Sequence, residues 1–136
     1  MSDVPVLVDS SVILDIVTDD EDWIDWSSAM VQQAAETGRL AINPIIYAEV
    51  SSRFDSIEAV EAAVPRDHFE RLPLPWDAAF LAGKAFVQYR RRGGTKTSPL
   101  PDFFIGAHAA VAGMTLLTRD PRIYRSYFPK LRIISP

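Results

Sequence analysis

Short apolar runs, too brief to be helices, alternate along this chain with longer stretches of helical spacing, and that alternation constrains its fold more than any other feature. Val4-Pro5-Val6-Leu7-Val8 is continuous and rich in β-branched residues, the pattern of a strand buried on both faces. Leu40-Ala41-Ile42, residues 69–74, Met114-Thr115-Leu116-Leu117-Thr118 and Leu131-Arg132-Ile133-Ile134 read as four further strands. Helical spacing predicts helices over residues 12–17, 25–37, 44–50, 57–64, 76–92 and 101–111, with a last short one after Asp120-Pro121. Gly38 and Gly113 supply C-terminal stops, while Asn43-Pro44 is an N-cap followed by proline at the first helical position. Residues 93–100 read as a polar loop. Strands alternating with helices imply an α/β fold with a mostly parallel central β-sheet flanked by helices. With 136 residues, no repeat and no low-complexity segment, the chain reads as a single domain over 1–136.

The absence of cysteine excludes disulfides, thiolate zinc sites and thiol nucleophiles. No apolar stretch is long enough to span a bilayer, so no membrane partner is expected. The N-terminus lacks the features of a secretory signal, which makes the cytoplasm the default location. Charge is divided unevenly. Residues 1–83 hold sixteen acidic and four basic residues, whereas residues 84–136 hold ten basic residues and only Asp102 and Asp120 as acids. Such asymmetry points to a polyanionic partner, or simply to mutual attraction of the two halves.

In an open parallel sheet, ligands bind beyond the carboxyl ends of the strands. Asp9 follows the first strand directly, and Asp120 lies two residues past the fourth. Asp102 sits in the first turn of the helix leading into that fourth strand, and Glu49 in the second turn of the helix after the second. Four carboxylates from four segments therefore converge on one end of one sheet. Taken singly, each has a plainer explanation. Asp9 and Asp120 could be N-caps, Asp102 could favour a helix dipole, and Glu49 could pair with Arg53, worth about 0.2–0.5 kcal/mol. Taken together, carboxylates gathered in a cleft repel one another and must protonate or bind a cation. Oxygen ligands select a hard ion, Mg²⁺ or Mn²⁺. Asp9 and Asp102 are the expected direct ligands, with Glu49 and Asp120 acting directly or through water. Such an ion activates water and neutralises charge on a phosphate under attack.

The segments Val6-Leu7-Val8-Asp9-Ser10-Ser11-Val12-Ile13-Leu14-Asp15, Asn43-Pro44-Ile45-Ile46-Tyr47-Ala48-Glu49-Val50, Leu100-Pro101-Asp102-Phe103-Phe104-Ile105-Gly106-Ala107-His108-Ala109 and Leu116-Leu117-Thr118-Arg119-Asp120 resemble the acidic motifs of PIN domains, above all the VapC toxins. The likeness covers nearly the whole chain in the right order. It departs at Ser10, where the family commonly has threonine, and it keeps the hydroxyl there. The resemblance implies a PIN-like fold and a Mg²⁺-dependent endoribonuclease whose catalytic acids are Asp9, Glu49, Asp102 and Asp120, the last being the family's least constant position. It also implies RNA as substrate, a small VapB-like antitoxin as partner, and a homodimer. Alternatives are a PIN-fold RNA-processing nuclease that is not a toxin, or a non-catalytic receiver-like binding module. A phosphatase of the haloacid dehalogenase type wants a second Asp where this chain has Ser11, and a receiver wants an Asp after the third strand, which is missing.

Arg90, Arg91, Arg92 and Lys96 read either as a solvated helix end or as contacts to the substrate's phosphates. His68 and His108 are not expected as ligands. Asp15, Asp77 and the run Asp19-Asp20-Glu21-Asp22 read as solvated, and Trp23, Trp26 and Met30 as core or dimer interface. Val12, Ile16, Trp23 and Trp26 are expected to offer an apolar surface to an antitoxin helix.

Overall fold

The computed structural model describes residues 4–95 and 99–136. Its elements run β1 (Val6–Val8), α1 (Ser10–Val17), α2 (Ile24–Thr37), β2 (Leu40–Ile42), α3 (Pro44–Ser51), α4 (Ile57–Ala63), β3 (Phe69–Arg71), α5 (Trp76–Arg91), α6 (Pro99–Ala112), β4 (Leu116–Leu117), α7 (Arg122–Tyr127) and β5 (Ile133–Ile134). The five strands form one sheet in the order β3-β2-β1-β4-β5, and every pairing is parallel. The alternation expected from sequence is therefore realised, and all strand carboxyl ends share one edge.

Strand β1 is central because its residues can be buried on both sides; Leu7 and Val8 are wholly inaccessible. It pairs with β2 through Val6↔Leu40 and with β4 through Val8↔Leu117. That register, extended by the hydrogen bond from Asp9 N to Leu117 O (2.9 Å), sets Asp9 beside Thr118 at the sheet edge. Right-handed crossovers put α1–α4 on one face and α5–α7 on the other. Accordingly α1 packs on α2 and α3, and α6 packs on α5 and α7. Phe103 of α6 is fully buried and meets the rings of Phe86, Tyr89 and Tyr127 at centroid separations of 6.3, 5.8 and 5.1 Å. Such ring pairs add roughly 0.5–1.5 kcal/mol each beyond area burial, and here they lock α5, α6 and α7 together.

Some local expectations change. Helix α6 is already helical at Pro99, inside the segment read as loop. Prolines are tolerated in a first turn, where the missing N–H has no intrahelical partner. The N-cap of α7 is Pro121 rather than Asp120. Val12 is fully buried in the core, so it offers nothing to a partner helix; Ile16, Trp23 and Trp26 remain partly exposed. Asp20 is no idle surface acid, since its Oδ1 accepts from the backbone N–H groups of Asp22 and Trp23 (3.0 Å each) and fixes the turn into α2. Among the described residues no helix is long and apolar enough to cross a membrane.

Candidate active site

Asp9 stands at the N-cap position of α1, with φ −65° and ψ 150°, yet its side chain makes no capping bond. Its carboxylate instead accepts from Thr118 Oγ1 (2.7 Å), Tyr124 Oη (3.1 Å) and Ser11 Oγ (3.4 Å), all on Oδ2. All three donors are neutral. Burial therefore raises the pKa of this 5% exposed carboxyl, although the hydrogen bonds oppose the shift.

Asp102, in the first turn of α6, shares the Tyr124 hydroxyl through Oδ1 at 3.4 Å. A hydroxyl carries one proton, so Tyr124 can satisfy Asp9 or Asp102 but not both at once. Burial, and then the charges of Asp9 and Glu49, push the Asp102 carboxyl up to about 7. Glu49 reaches the same edge from α3 and accepts from Ser10 Oγ at 2.9 Å. Burial raises its pKa most, with the charge of Asp9 adding to the effect. The alternative partner Arg53 forms no ion pair with it among the described residues. Asp120 lies further out, exposed and paired with Arg122 Nε at 3.2 Å. Its backbone N–H bonds Thr118 Oγ1 (3.2 Å), which ties its loop to Asp9.

Asp9, Asp102 and Asp120 line one cleft of about 660 Å³ together with Ser10, Ser11 and Tyr124. Glu49 adjoins it through Ser10. Among the described residues no three His, Asp or Glu side chains stand as a ready-made ligand group. The arrangement is a close pair, Asp9 and Asp102, with two outlying carboxylates. Mg²⁺ keeps several waters and takes one or two protein carboxylates, so a hard cation fits this donor set. The upward pKa shifts of Asp9, Glu49 and Asp102 come first from burial, with neighbouring carboxylate charge adding to those of Glu49 and Asp102.

A family model of the PIN domain matches residues 6–129. The chain belongs to the PIN-domain family. Nuclease activity goes with that family. Among solved structures the PIN fold here is similar to that in VapBC2 from Rickettsia felis bound to a DNA fragment from its promoter (TM-score 0.73, 16% identity, covering 96% of this chain and 97% of that one). It is also similar to DNA-bound VapBC from Salmonella typhimurium (0.71, 20%, 97% and 98%) and to VapBC-1 from nontypeable Haemophilus influenzae (0.71, 18%, 96% and 96%). At these identities the likeness is one of fold. No curated protein matches the chain in sequence.

The PIN cleft also has a basic rim that sequence located only in part. Arg92 lies 4.9 Å over the ring of Tyr127, a residue lining the cleft. Arg90 and Arg91 are exposed at the end of α5, and Lys96 falls outside the described residues. Arg119 and Arg122 line the cleft itself. Among the described residues only one ion pair, Arg119–Asp15, joins the acidic and basic halves of the chain.

Sequence reasoning missed Thr118 and Tyr124, since neither residue type signals a site by itself. It also misread Asp15, which is 2% exposed and accepts from Ser27 Oγ and Arg119 Nε at 2.8 Å each. Its position as the one acid within an apolar helix was the available signal. His108 is buried, and its Nδ1 lies 3.0 Å from Asn43 Nδ2. Asn43 Oδ1 is committed to Ile46 N–H, so the amide donates and the imidazole accepts. Burial lowers the pKa of His108 and keeps it neutral.

Proposed function

We propose that this PIN domain is a Mg²⁺- or Mn²⁺-dependent endoribonuclease, the toxin of a toxin–antitoxin pair. The observation that carries this reading is the pairing of Asp9 and Asp102 on one hydroxyl, neither of them in an ion pair among the described residues, in a cleft that arginines also line. Asp9 and Asp102 would hold the ion directly, with Glu49 and Asp120 flanking it directly or through water. The ion would lower the pKa of bound water and neutralise charge on the attacked phosphate. Thr118, Ser11 and Tyr124 orient the Asp9 carboxylate, and Ser10 orients Glu49. Arg92 would meet backbone phosphates at the cleft's rim, giving salt-dependent and sequence-independent grip. RNA, rather than DNA, rests on the resemblance to VapC toxins.

The structural neighbours are complexes containing VapB and VapC, which supports a small VapB-like antitoxin as the partner here. An arginine from such a partner could pair with the carboxylates and compete with the metal. A homodimer also has a fitting surface. Trp76, Phe80 and Val87 are 90%, 68% and 43% exposed and recur along one side of α5. Gly83 lies between them, with nothing within 4 Å of where a Cβ would stand. Antiparallel pairing about the middle of α5 would set Phe80 against Val87 of a second copy, and Asp77 against its Arg90.

Purified protein incubated with RNA, with and without Mg²⁺ or Mn²⁺, tests the central claim. Metal-dependent cleavage that disappears in Asp9→Asn and Asp102→Asn is expected. Equal cleavage by both variants and the wild type would place the chemistry elsewhere.

A further inference from the structure

A cleft walled by carboxylates repels a phosphate unless cations stand beside them, and arginine lines this cleft too. We propose that Arg119 is such a cation: a positioned arginine that binds the non-bridging oxygens of the substrate phosphate, held in place by Asp15 and Trp23. This inference rests on the nuclease reading and assigns a residue of the same site. The backbone N–H of Arg119 bonds Ser11 Oγ at 3.3 Å, so its loop is anchored to the residue that also bonds Asp9. Its Nε donates to Asp15 Oδ2 at 2.8 Å. Asp15 is buried and held in turn by Ser27 of α2. The guanidinium lies 5.5 Å over the ring of Trp23, whose backbone is fixed by Asp20.

These contacts use one nitrogen and one face of the guanidinium. Among the described residues its two terminal nitrogens have no hydrogen-bond partner, and the residue lines the cleft with Asp9 and Asp102. The edge formed by those nitrogens is the fork that meets a phosphate bidentately. Arg119 is also better fixed than its neighbour: its side chain is 32% exposed, against 89% for Arg122, which is engaged by Asp120. An arginine held by packing loses less freedom on binding than a solvated one.

The test measures binding of a single-stranded RNA oligonucleotide to the full chain in excess EDTA, where no cleavage occurs, across a salt series, and then KM and kcat with Mg²⁺. Arg119→Gln should weaken binding roughly tenfold and lower the slope of log Kd against log salt by about 0.7. KM should rise while kcat changes much less. Asp15→Asn should weaken binding in the wild-type background and add nothing in the Arg119→Gln background, a coupling that a purely structural role would not produce. Arg119→Lys can keep the ion pair with Asp15, and therefore the fold, but it loses the free fork; it too should bind more weakly. Unchanged Kd and salt slope in Arg119→Lys and Arg119→Gln, or additive effects with Asp15→Asn, would overturn the proposal. If the wild type binds RNA through Arg119 but never cuts it, the nuclease reading fails and this assignment stands.

Discussion

Replacing Asp102 by asparagine should make the metal-free protein more stable above neutral pH, because the carboxylate is held there at a cost. Its pKa moves from 3.8 to about 7 through burial and the charges of Asp9 and Glu49. A tenfold change in proton affinity is worth about 1.4 kcal/mol, which sets a ceiling of about 4 kcal/mol. Asp102 is only partly buried and shares the repulsion with Asp9, Glu49 and, least, Asp120, so solvent screening reduces this to about 1–2 kcal/mol. For a domain of this size that is roughly 3–8 °C in melting temperature. The direction in pH follows from linkage: the folded state keeps its proton over a range in which the unfolded chain has released it. Stability is therefore lost as pH rises from about 4 to about 7, and the loss is complete above that. Asparagine has no such loss and still accepts from Tyr124. The assay is thermal melting of both proteins in EDTA from about pH 4.5 to 8.5, read as a difference so that common contributions, such as that of the neutral His108, cancel. The gap should open between about pH 4 and 7, and excess Mg²⁺ should narrow it by stabilising the wild type. An asparagine variant that melts at or below the wild type above pH 7 would refute the reasoning.

Gly106→Ala should disturb the site from behind, since a Cβ there would stand 2.6 Å from Phe128 Cε2 and 3.0 Å from Tyr124 Cδ1. A loss of about 1–3 kcal/mol and slower cleavage are expected in melting and activity assays; wild-type values in both would show that Tyr124 need not be where it is. Arg92→Glu should weaken RNA binding and flatten its salt dependence more than Arg90→Glu does, and an equal effect of the two would deny Arg92 its special place over Tyr127. Phe80→Glu should turn a dimer into a monomer in analytical ultracentrifugation; a wild type that already sediments as a monomer would remove α5 as an interface.

The sequence by itself determined the layers and the edge. Hydrophobic period, caps and strand length are local properties, so Val6–Val8, Leu40–Ile42 and the helices between them could be read directly. Once those strands are parallel, Asp9, Glu49, Asp102 and Asp120 must come to one end of the sheet, and this too was legible. The motifs that resemble PIN domains sit on those same acids, which is why family and fold follow from the sequence. The tertiary structure decided which groups share a proton and which charges are offset. Thr118 and Tyr124 meet Asp9 from 109 and 115 positions away, and nothing local in either residue foretells it. Asp15 reads as a surface acid on its own helix, and it is the packing of α2 and the loop after β4 that buries it and supplies Ser27 and Arg119. Val12 belongs to the core for the same reason: a helix's apolar stripe is visible in sequence, but how much of it the neighbours cover is not. Burial and charge proximity set the strength of an electrostatic interaction, and both are fixed only when distant segments pack.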